Sequence, residues 1–572
     1  MKIKHLFGLA VIAAMTASCS SNEDLGTAGP GTGTNETGVG YATFTINLPS
    51  VSGTRAADAG GAEMDEGTAK EYAVKSATAL IFQKYGSDEG SCKFVESVDL
   101  PTAAADWTDD TTVGITTTKK LVAKLTNVDT KNQYYVLVLL NNNKTGGVKV
   151  ALPTVGQSYN EWNSQILTPS VDDLAADNDF YMANAPLKGT ASPTTLVTID
   201  KKNIYSSKEK AEAGTSAATV YVERGVAKMT VANPGTKTVK DKATSTDTQS
   251  KVTFSKWALD ITNKKTYAVH NIDGLSTDFP AIWTTPRFIG TNSRVYWGKD
   301  PNYNLDNLNT GKEAEREENF NFIKATNGIN KTFAESAYCL ENTFNLANMY
   351  QGQTTRIIFK ATYTPKDDAG NPLAEQDGTF YTIGNMTTIL NETALKTAVN
   401  TAATSVLPGC TVDYTNLKQE GSHVITLADI KDSTGTTLVA DKDYSGKTGT
   451  QIVKEINDKL GLIDGAGHAE AMVGINTYAQ GVTYYIARVK HFGSLTPWNS
   501  GESYGTDNGK YLGRYGMLRN NWYELTVGNV YGPGYPGVPP VDPNQPDDEN
   551  EKYLSVSVKI LSWAKRSDTV DL

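Results

Sequence analysis

Cysteine and histidine are scarce in this chain, long apolar runs are nearly missing, and basic charge never gathers. Among 572 residues there are four cysteines, Cys19, Cys92, Cys339 and Cys410, with no metal-like spacing. The five histidines, His5, His270, His423, His468 and His491, form no HExxH pair and no triad-like arrangement with a serine, cysteine or aspartate. No catalytic residue, metal site or other cofactor is therefore expected. Tyr444-Ser445-Gly446-Lys447-Thr448 resembles the end of a phosphate loop, but Asp441 stands where the earlier glycine is required, so it reads as a turn. Net charge is -10 with no basic stripe, which argues against a nucleic-acid partner. The one apolar run at the start, Leu6 to Ala14, is too short to cross a bilayer as a permanent helix.

What is present begins with that run. Lys2 and Lys4 precede it, and Ala17 and Ser18 lead into Cys19, so residues 1–18 read as a secretory signal. Small residues directly before a cysteine look like a bacterial lipobox, with Thr16 where the pattern usually has Leu; the Cys19 thiol would be acylated and become the new terminus. Ser20 to Gly40 has linker composition. From Tyr41 the pattern alternates: Ala42, Phe44, Ile46 and Leu48 fall on one face and Tyr41, Thr43, Thr45 and Asn47 on the other, as in a half-buried strand. Beyond Pro49 comes Arg55, followed by Ala56, among small flexible neighbours that leave the bond open to a trypsin-like protease.

Hydrophobic content of 39% with many Thr, Tyr and Gly favours strands over helices. Predicted strands recur at Ala77 to Gln83, Leu121 to Leu125, Tyr134 to Leu140, Leu196 to Ile199 and Ala218 to Val222. Pro234 to Ser250, charged and Thr-rich, reads as a connection between domains. Strands resume at Val252 to Ile261, Thr354 to Tyr363, Val482 to Val489 and Trp522 to Val527; Glu392 to Ala403 and Gly449 to Leu460 read as helices. The fold class is all-β dominated, two β-sandwich domains of transthyretin-like or Greek-key type, at 56–238 and 239–531, with helical insertions in the second. A Pro-rich tether, 532–552, then leads to a last strand at 553–572 in which Leu554, Val556, Val558 and Ile560 alternate with polar residues. With Cys19 acylated, three cysteines remain. At most one disulfide can form among them, and small buried apolar groups are their expected role.

Several short motifs together resemble the fimbrillins of Bacteroidales, the type V pilins, and most closely the shaft subunit of the minor (short) fimbriae. They are Tyr134 to Asn141, Phe180-Tyr181-Met182-Ala183-Asn184-Ala185, Val222-Glu223-Arg224-Gly225-Val226-Ala227-Lys228, Tyr478 to Ile486, Arg519-Asn520-Asn521-Trp522-Tyr523 and the C-terminal Leu554 to Trp563, closing on Val570-Asp571-Leu572. Lys366 to His468 has the least correspondence. The resemblance implies lipidation at Cys19, passage through the periplasm to the outer membrane, cleavage after Arg55 by an arginine-specific protease of the gingipain type, and residues 19–55 as a propeptide. It further implies mature subunits in adhesive cell-surface fimbriae. The expected partners are identical subunits head to tail, accessory tip and anchor proteins, and host or bacterial receptors.

A sandwich that loses a strand exposes unpaired N–H and C=O groups beside an apolar groove, and such a groove recruits another strand. The strand carrying Ala42, Phe44, Ile46 and Leu48 is the candidate to leave, and that carrying Leu554, Val556, Val558 and Ile560 the candidate to replace it in a neighbour. Burying four such side chains contributes on the order of 6 to 12 kcal/mol before ordering costs. The tether, if extended, spans roughly 60 Å at about 3.1 Å per residue. An ordinary last strand on its own domain is the plainer alternative for the tail. A surface glycan-binding lipoprotein is the rival function, with Trp107, Trp162, Trp283, Trp297 and Trp498 as candidate stacking residues; within the fimbrial class the alternatives are a tip or anchor component.

Overall fold

The structure, a computed structural model, describes residues 33–48, 67–102, 108–109, 117–129, 131–188, 193–278, 295, 297–305, 308, 311–384, 388–462, 473–492, 511–547 and 554–562. Strands dominate it. The first sheet system contains β1 (Gly40–Asn47), β2 (Ala77–Gln83), β3 (Lys93–Leu100), β4 (Thr117–Leu125), β5 (Tyr134–Leu140), β6 (Met182–Asn184) and β7 (Ala218–Arg224) in the order β3-β2-β5-β6-β7-β1-β4, with Thr108–Asp109 beyond β4. β7 joins two halves. Its first residues, Ala218 to Tyr221, run parallel to β1, and its last, Val222 to Arg224, pair antiparallel with β6. Both halves close on one core that includes Phe44, Ile46, Phe82, Leu121, Val136, Leu137 and Val220.

Two asparagines explain how polar motif residues sit inside this core. Asn184 is fully buried; its Oδ1 accepts from the Val138 N–H and its Nδ2 donates to the carbonyls of Val136 and Thr195. Asn141 has φ +56° and accepts from the N–H groups of Lys75 and Ser76 while donating to Ala73 and Phe180. Each amide satisfies backbone groups where ladders end, which is what buried polar groups must do.

The second sheet contains β8 (Ala227–Val231), β9 (Thr236–Lys240), β10 (Asp247–Asp260), β11 (Ala337–Cys339), β12 (Arg356–Thr364), β16 (Val482–Arg488) and β17 (Asn521–Val530), in the order β11-β8-β17-β9-β10-β12-β16. β18 (Leu554–Ser562) lies antiparallel against β17. Its core gathers Trp257, Phe359, Tyr485, Tyr523 and Leu525. The stretch read as an inter-domain connection, Pro234 to Ser250, instead forms the β9–β10 hairpin of this sheet, and the chain passes from one sheet to the other at Gly225-Val226. Its charge and threonine content had outweighed a real alternation: Ser250, Val252 and Phe254 are buried while Thr253 and Lys251 face out.

Between β12 and β16 the chain builds a further unit, and both predicted helices are in it. β13 (Phe380–Ile383), β14 (Gly421–His423) and β15 (Ile475–Tyr478) form a small sheet in the order β13-β15-β14. α1 (Glu392–Val406) and α2 (Gly449–Leu460) pack Leu395, Val399, Ile452 and Ile456 into a core with Ile475. The phosphate-loop-like residues are the turn into α2: Thr448 and Gln451 form a capping box, and Gly461 at φ +66° ends the helix. Lys447 pairs with Glu455. The helices thus come with a core of their own rather than merely decorating the sandwich.

The Pro-rich segment also differs from the extended tether expected of it. Residues 532–547 lie along the second sheet as a strap. Arg356 donates from Nη1 to the Pro540 carbonyl and from Nη2 to that of Pro539, at 2.8 and 2.7 Å, while its Nε holds Asp260 at 2.8 Å. Tyr485 and Tyr478 hydroxyls donate to the Gly532 and Gly534 carbonyls, and Tyr484 and Tyr535 exchange backbone hydrogen bonds. Proline removes a donor and keeps its carbonyl, so a Pro-rich run has acceptors to offer buried donors. Asp547, at the end of the strap, is fully buried.

Cys92, Cys339 and Cys410 are free and buried, as expected from their composition and spacing. Burial pushes all three thiols up, that of Cys339 to about 12. Because the thiolate is the reactive form, an aromatic disulfide reagent at about pH 8 is expected to leave these three thiols unmodified in the folded protein and to modify all of them in denaturant. Rapid reaction of Cys339 without unfolding would contradict that burial.

Candidate functional site

β1 is an interior strand. All of Gly40 to Asn47 pairs antiparallel with β4, from Gly40 opposite Leu125 to Asn47 opposite Thr118, and Phe44 to Asn47 run parallel to Ala218 to Tyr221 of β7. Tyr41 and Ala42 also meet Tyr205 and Ile204. Ala42, Phe44 and Ile46 are fully buried and Leu48 nearly so. The other face is less open than simple alternation implies. Thr43 donates to the Ala211 carbonyl at 2.6 Å, Thr45 and Ser216 share a hydroxyl hydrogen bond at 2.6 Å, and Asn47 donates to Val220 O and accepts from Thr118. Short polar side chains suit a strand covered on both faces, because each finds a partner without reaching water.

β18 is placed differently. Its register on β17 runs from Asn521 opposite Ser562 to Val530 opposite Leu554, with an irregularity between Val527 and Val530. Leu554, Val556, Val558 and Ile560 stand opposite Val530, Val527, Leu525 and Tyr523, all four of them buried. Among the described residues β17 is the only strand that β18 pairs with. One strand is therefore held along both edges and the other along one. β1 has eight residues and β18 nine.

Cys19, Arg55 and Ala56 lie outside the described residues. The chain re-enters at Gly67, and Glu71 fastens it. Its carboxylate pairs with Lys228 at 2.7 Å and accepts from the Tyr338 hydroxyl at 2.6 Å and the Thr68 N–H at 2.7 Å. Burial by itself would raise the Glu71 carboxyl, but the Lys228 charge and these hydrogen bonds outweigh it and hold the group below its ordinary value. Lys228 also sits 3.7 Å from the Trp522 ring centroid, on the strand that carries β18.

Glu71 is one end of a buried polar seam between the two sheets, and motif residues supply half of its side chains. Glu223 meets His270 Nδ1 at 2.8 Å, Arg519 Nε meets Glu341 at 3.2 Å, and Arg519 Nη2 donates to Thr266 Oγ1 at 3.1 Å. Arg224 donates from Nε to the Glu71 carbonyl, and its N–H goes to Asn520 Oδ1. Sequence reading picked out Glu223, Arg224, Lys228 and Arg519 as motif residues and missed that their charges face partners elsewhere, since the partners are far apart in the chain. The signal was available in hindsight: charged residues inside otherwise apolar strand motifs have to be paired when buried.

The remaining candidates disperse. His491 bonds the Tyr523 hydroxyl at 2.7 Å and His423 bonds the Gln419 carbonyl at 3.1 Å. Trp162 and Trp297 are buried, so neither offers a stacking face; Trp107, Trp283, Trp498 and His468 lie outside the described residues. No group of three or more His, Cys, Asp or Glu among the described residues could hold a metal, and no described helix is long and apolar enough to cross a membrane.

Residues 476–569, which include β16, β17, the strap and β18, match the family model described as major fimbrial subunit protein type IV, fimbrillin, C-terminal. Over those residues the chain is similar to the fimbrillins. That bears out the resemblance seen in the sequence at the level of the fimbrillins. Among solved structures, two proteins from Parabacteroides distasonis described as cell adhesion proteins align with 11% and 10% identity, over 92% and 91% of this chain and 99% of each of theirs, at TM-scores of 0.36 and 0.33. The tip fimbrial protein Mfa3 from Porphyromonas gingivalis, in a C-terminally truncated form, aligns over 91% of this chain and 100% of its own at 10% identity and a TM-score of 0.28. Likeness at these scores does not by itself establish a common fold. No curated protein matches this chain.

Proposed function

We propose that this protein is the shaft subunit of a type V fimbrium of the minor kind, exported as a lipoprotein through Cys19, cut after Arg55 and polymerised by strand exchange. The observation that carries the proposal is the contrast between β1, paired along both edges over a buried apolar face, and β18, of matching length and alternation, paired along one edge. In the precursor β1 occupies the first sheet and keeps the subunit monomeric. A cut after Arg55 leaves β1 held only by noncovalent contacts, while Glu71 keeps the new N-terminal segment attached to the body. When β1 leaves, β4 and β7 each present an unpaired edge beside an apolar slot. A neighbour's β18, moving from its edge position into that slot, trades one ladder for two. Each added backbone hydrogen bond contributes about 0.5 to 1.5 kcal/mol, so a second ladder along most of a strand favours exchange by several kcal/mol. The contact is head to tail and does not close, which yields a filament.

The fimbrillin match supports a role as a fimbrium component without chemistry of its own, and the tip or anchor role stays the alternative within that class. Treating purified precursor with an arginine-specific protease is expected to give a new N-terminus at Ala56 and fibres visible by electron microscopy. An Arg55→Ala precursor given the same treatment should stay a monomer. Fibres of normal length from the uncut variant would overturn the reading.

A further inference from the structure

A shallow cleft of about 340 Å³ opens on the first sheet system, far in sequence from both exchanged strands, between the β2–β3 turn and the residues around Ser158 to Asn160. Tyr85 forms one wall and is 65% exposed, the most exposed aromatic side chain described. Neither its hydroxyl nor the Asn160 amide has a hydrogen-bond partner among the described residues. Asp88 uses Oδ1 on the Ser91 N–H at 2.8 Å, and among the described residues Oδ2 has no donor. Lys93 Nζ stands 6.0 Å from the Tyr85 ring centroid and 3.7 Å from Glu161.

The floor of this cleft is built rather than incidental. Glu89, half-buried beneath the turn, accepts from the N–H groups of Thr195 and Leu196 at 2.7 and 2.5 Å and ties the turn to the body. The Ser91 hydroxyl donates to the carbonyls of Tyr85 and Asp88 and closes the loop on itself. Gly90 comes so near that a Cβ there would stand 3.2 Å from the Asn160 Cβ, so only glycine lets the two walls approach without a shift. Gly86, at φ +75°, follows Tyr85 in the turn, and a Cβ there would press on the Ser91 hydroxyl.

We propose that this cleft is a carbohydrate subsite that takes a single pyranose ring, a binding function additional to filament assembly. An exposed aromatic ring, with Lys93 over one face at 6.0 Å, has its other electron-rich face to offer the C–H face of a pyranose, which is apolar and carries slight positive charge. A vicinal pair of sugar hydroxyls has the donors and acceptors to meet a carboxylate oxygen and an amide side by side, the roles Asp88 Oδ2 and Asn160 fill here. A pocket with one stacking surface and a few convergent polar groups is how small polar ligands are oriented. An acidic peptide is disfavoured by Asp88, and an apolar ligand by the open polar rim.

The test is saturation-transfer NMR on the full chain with methyl β-galactoside, methyl α-mannoside and N-acetylglucosamine. At least one is expected to bind with a dissociation constant of about 1 mM, with transfer concentrated on the protons of one ring face. Tyr85→Ala should weaken binding at least about tenfold and Tyr85→Phe by less than about threefold, since stacking needs the ring and not the hydroxyl. Asn160→Ala should weaken it about fivefold. No transfer from any of the three sugars at about 20 mM, or equal transfer to the Tyr85→Ala chain, overturns the proposal. Both residues are exposed, so these variants fold, and fibre formation by Tyr85→Ala is expected to be normal, which separates this site from the assembly reading.

Discussion

Deleting residues 553–572 is expected to leave a protein that is still cut after Arg55 and still releases its first strand, yet forms no fibres. The deletion removes β18 and leaves the slot between β4 and β7 intact, so donor and acceptor functions are separated. The cleaved deletion variant should therefore run as a monomer on size exclusion and take up a synthetic peptide of residues 554–562 added in trans. Four apolar side chains entering an apolar slot contribute on the order of 6 to 12 kcal/mol before ordering costs, enough for measurable capture of a free peptide. The uncut variant should not take it up, because β1 fills the slot. Losing β18 also bares the edge of β17, so a modest fall in melting temperature is expected from the deletion alone. The peptide assay is not confused by that fall, since it compares cut with uncut protein of the same length. Normal filaments from the truncated chain would sink the donor assignment while leaving the cleavage step standing.

Arg519→Ala is expected to cost about 3 to 5 kcal/mol of stability, the largest single-residue effect in the second half of the molecule. Arg519 and Glu341 are both inaccessible to solvent, and Arg519 also donates to Thr266 and to the Tyr267 carbonyl. Removing the guanidinium strands a carboxylate beside the sheet junction, within 3.9 Å of His270 Nε2. Truncating one partner of a buried pair is damaging because the remaining charge is left without solvent or counter-charge. Chemical denaturation would read the loss as a lower midpoint. If Arg519→Ala shifts the midpoint no more than an exposed-pair control such as Lys454→Ala, which faces Asp458 on the surface of α2, the seam is not a structural joint. The double variant Arg519→Met with Glu341→Leu should recover much of the loss, since a well-packed apolar pair can replace a buried ion pair.

Much of the secondary structure was legible because it rests on local alternation. β2, β5 and α2 have the bounds that the residue pattern predicts, and α1 runs three residues further than expected, to Val406. β9 and the first five residues of β10 were missed because their solvent faces are charged and Thr-rich, which looks like linker when counted by composition. The strap was read as a free tether for a related reason. Proline content reports stiffness and says nothing about whether a buried arginine such as Arg356 waits to bind the carbonyls.

The sequence alone determined that two alternating segments stand at opposite ends of the chain and which residues share each apolar face, and it left at most one disulfide open among Cys92, Cys339 and Cys410, which the structure shows free. Only the tertiary structure decided that β1 lies inside a sheet while β18 lies at an edge, and that Glu71, Glu223, Glu341 and Arg519 join the two sheets. The reason is physical. Apolar periodicity is a property of neighbouring residues, whereas the partners that fill a strand's second edge or neutralise a buried charge come from hundreds of residues away.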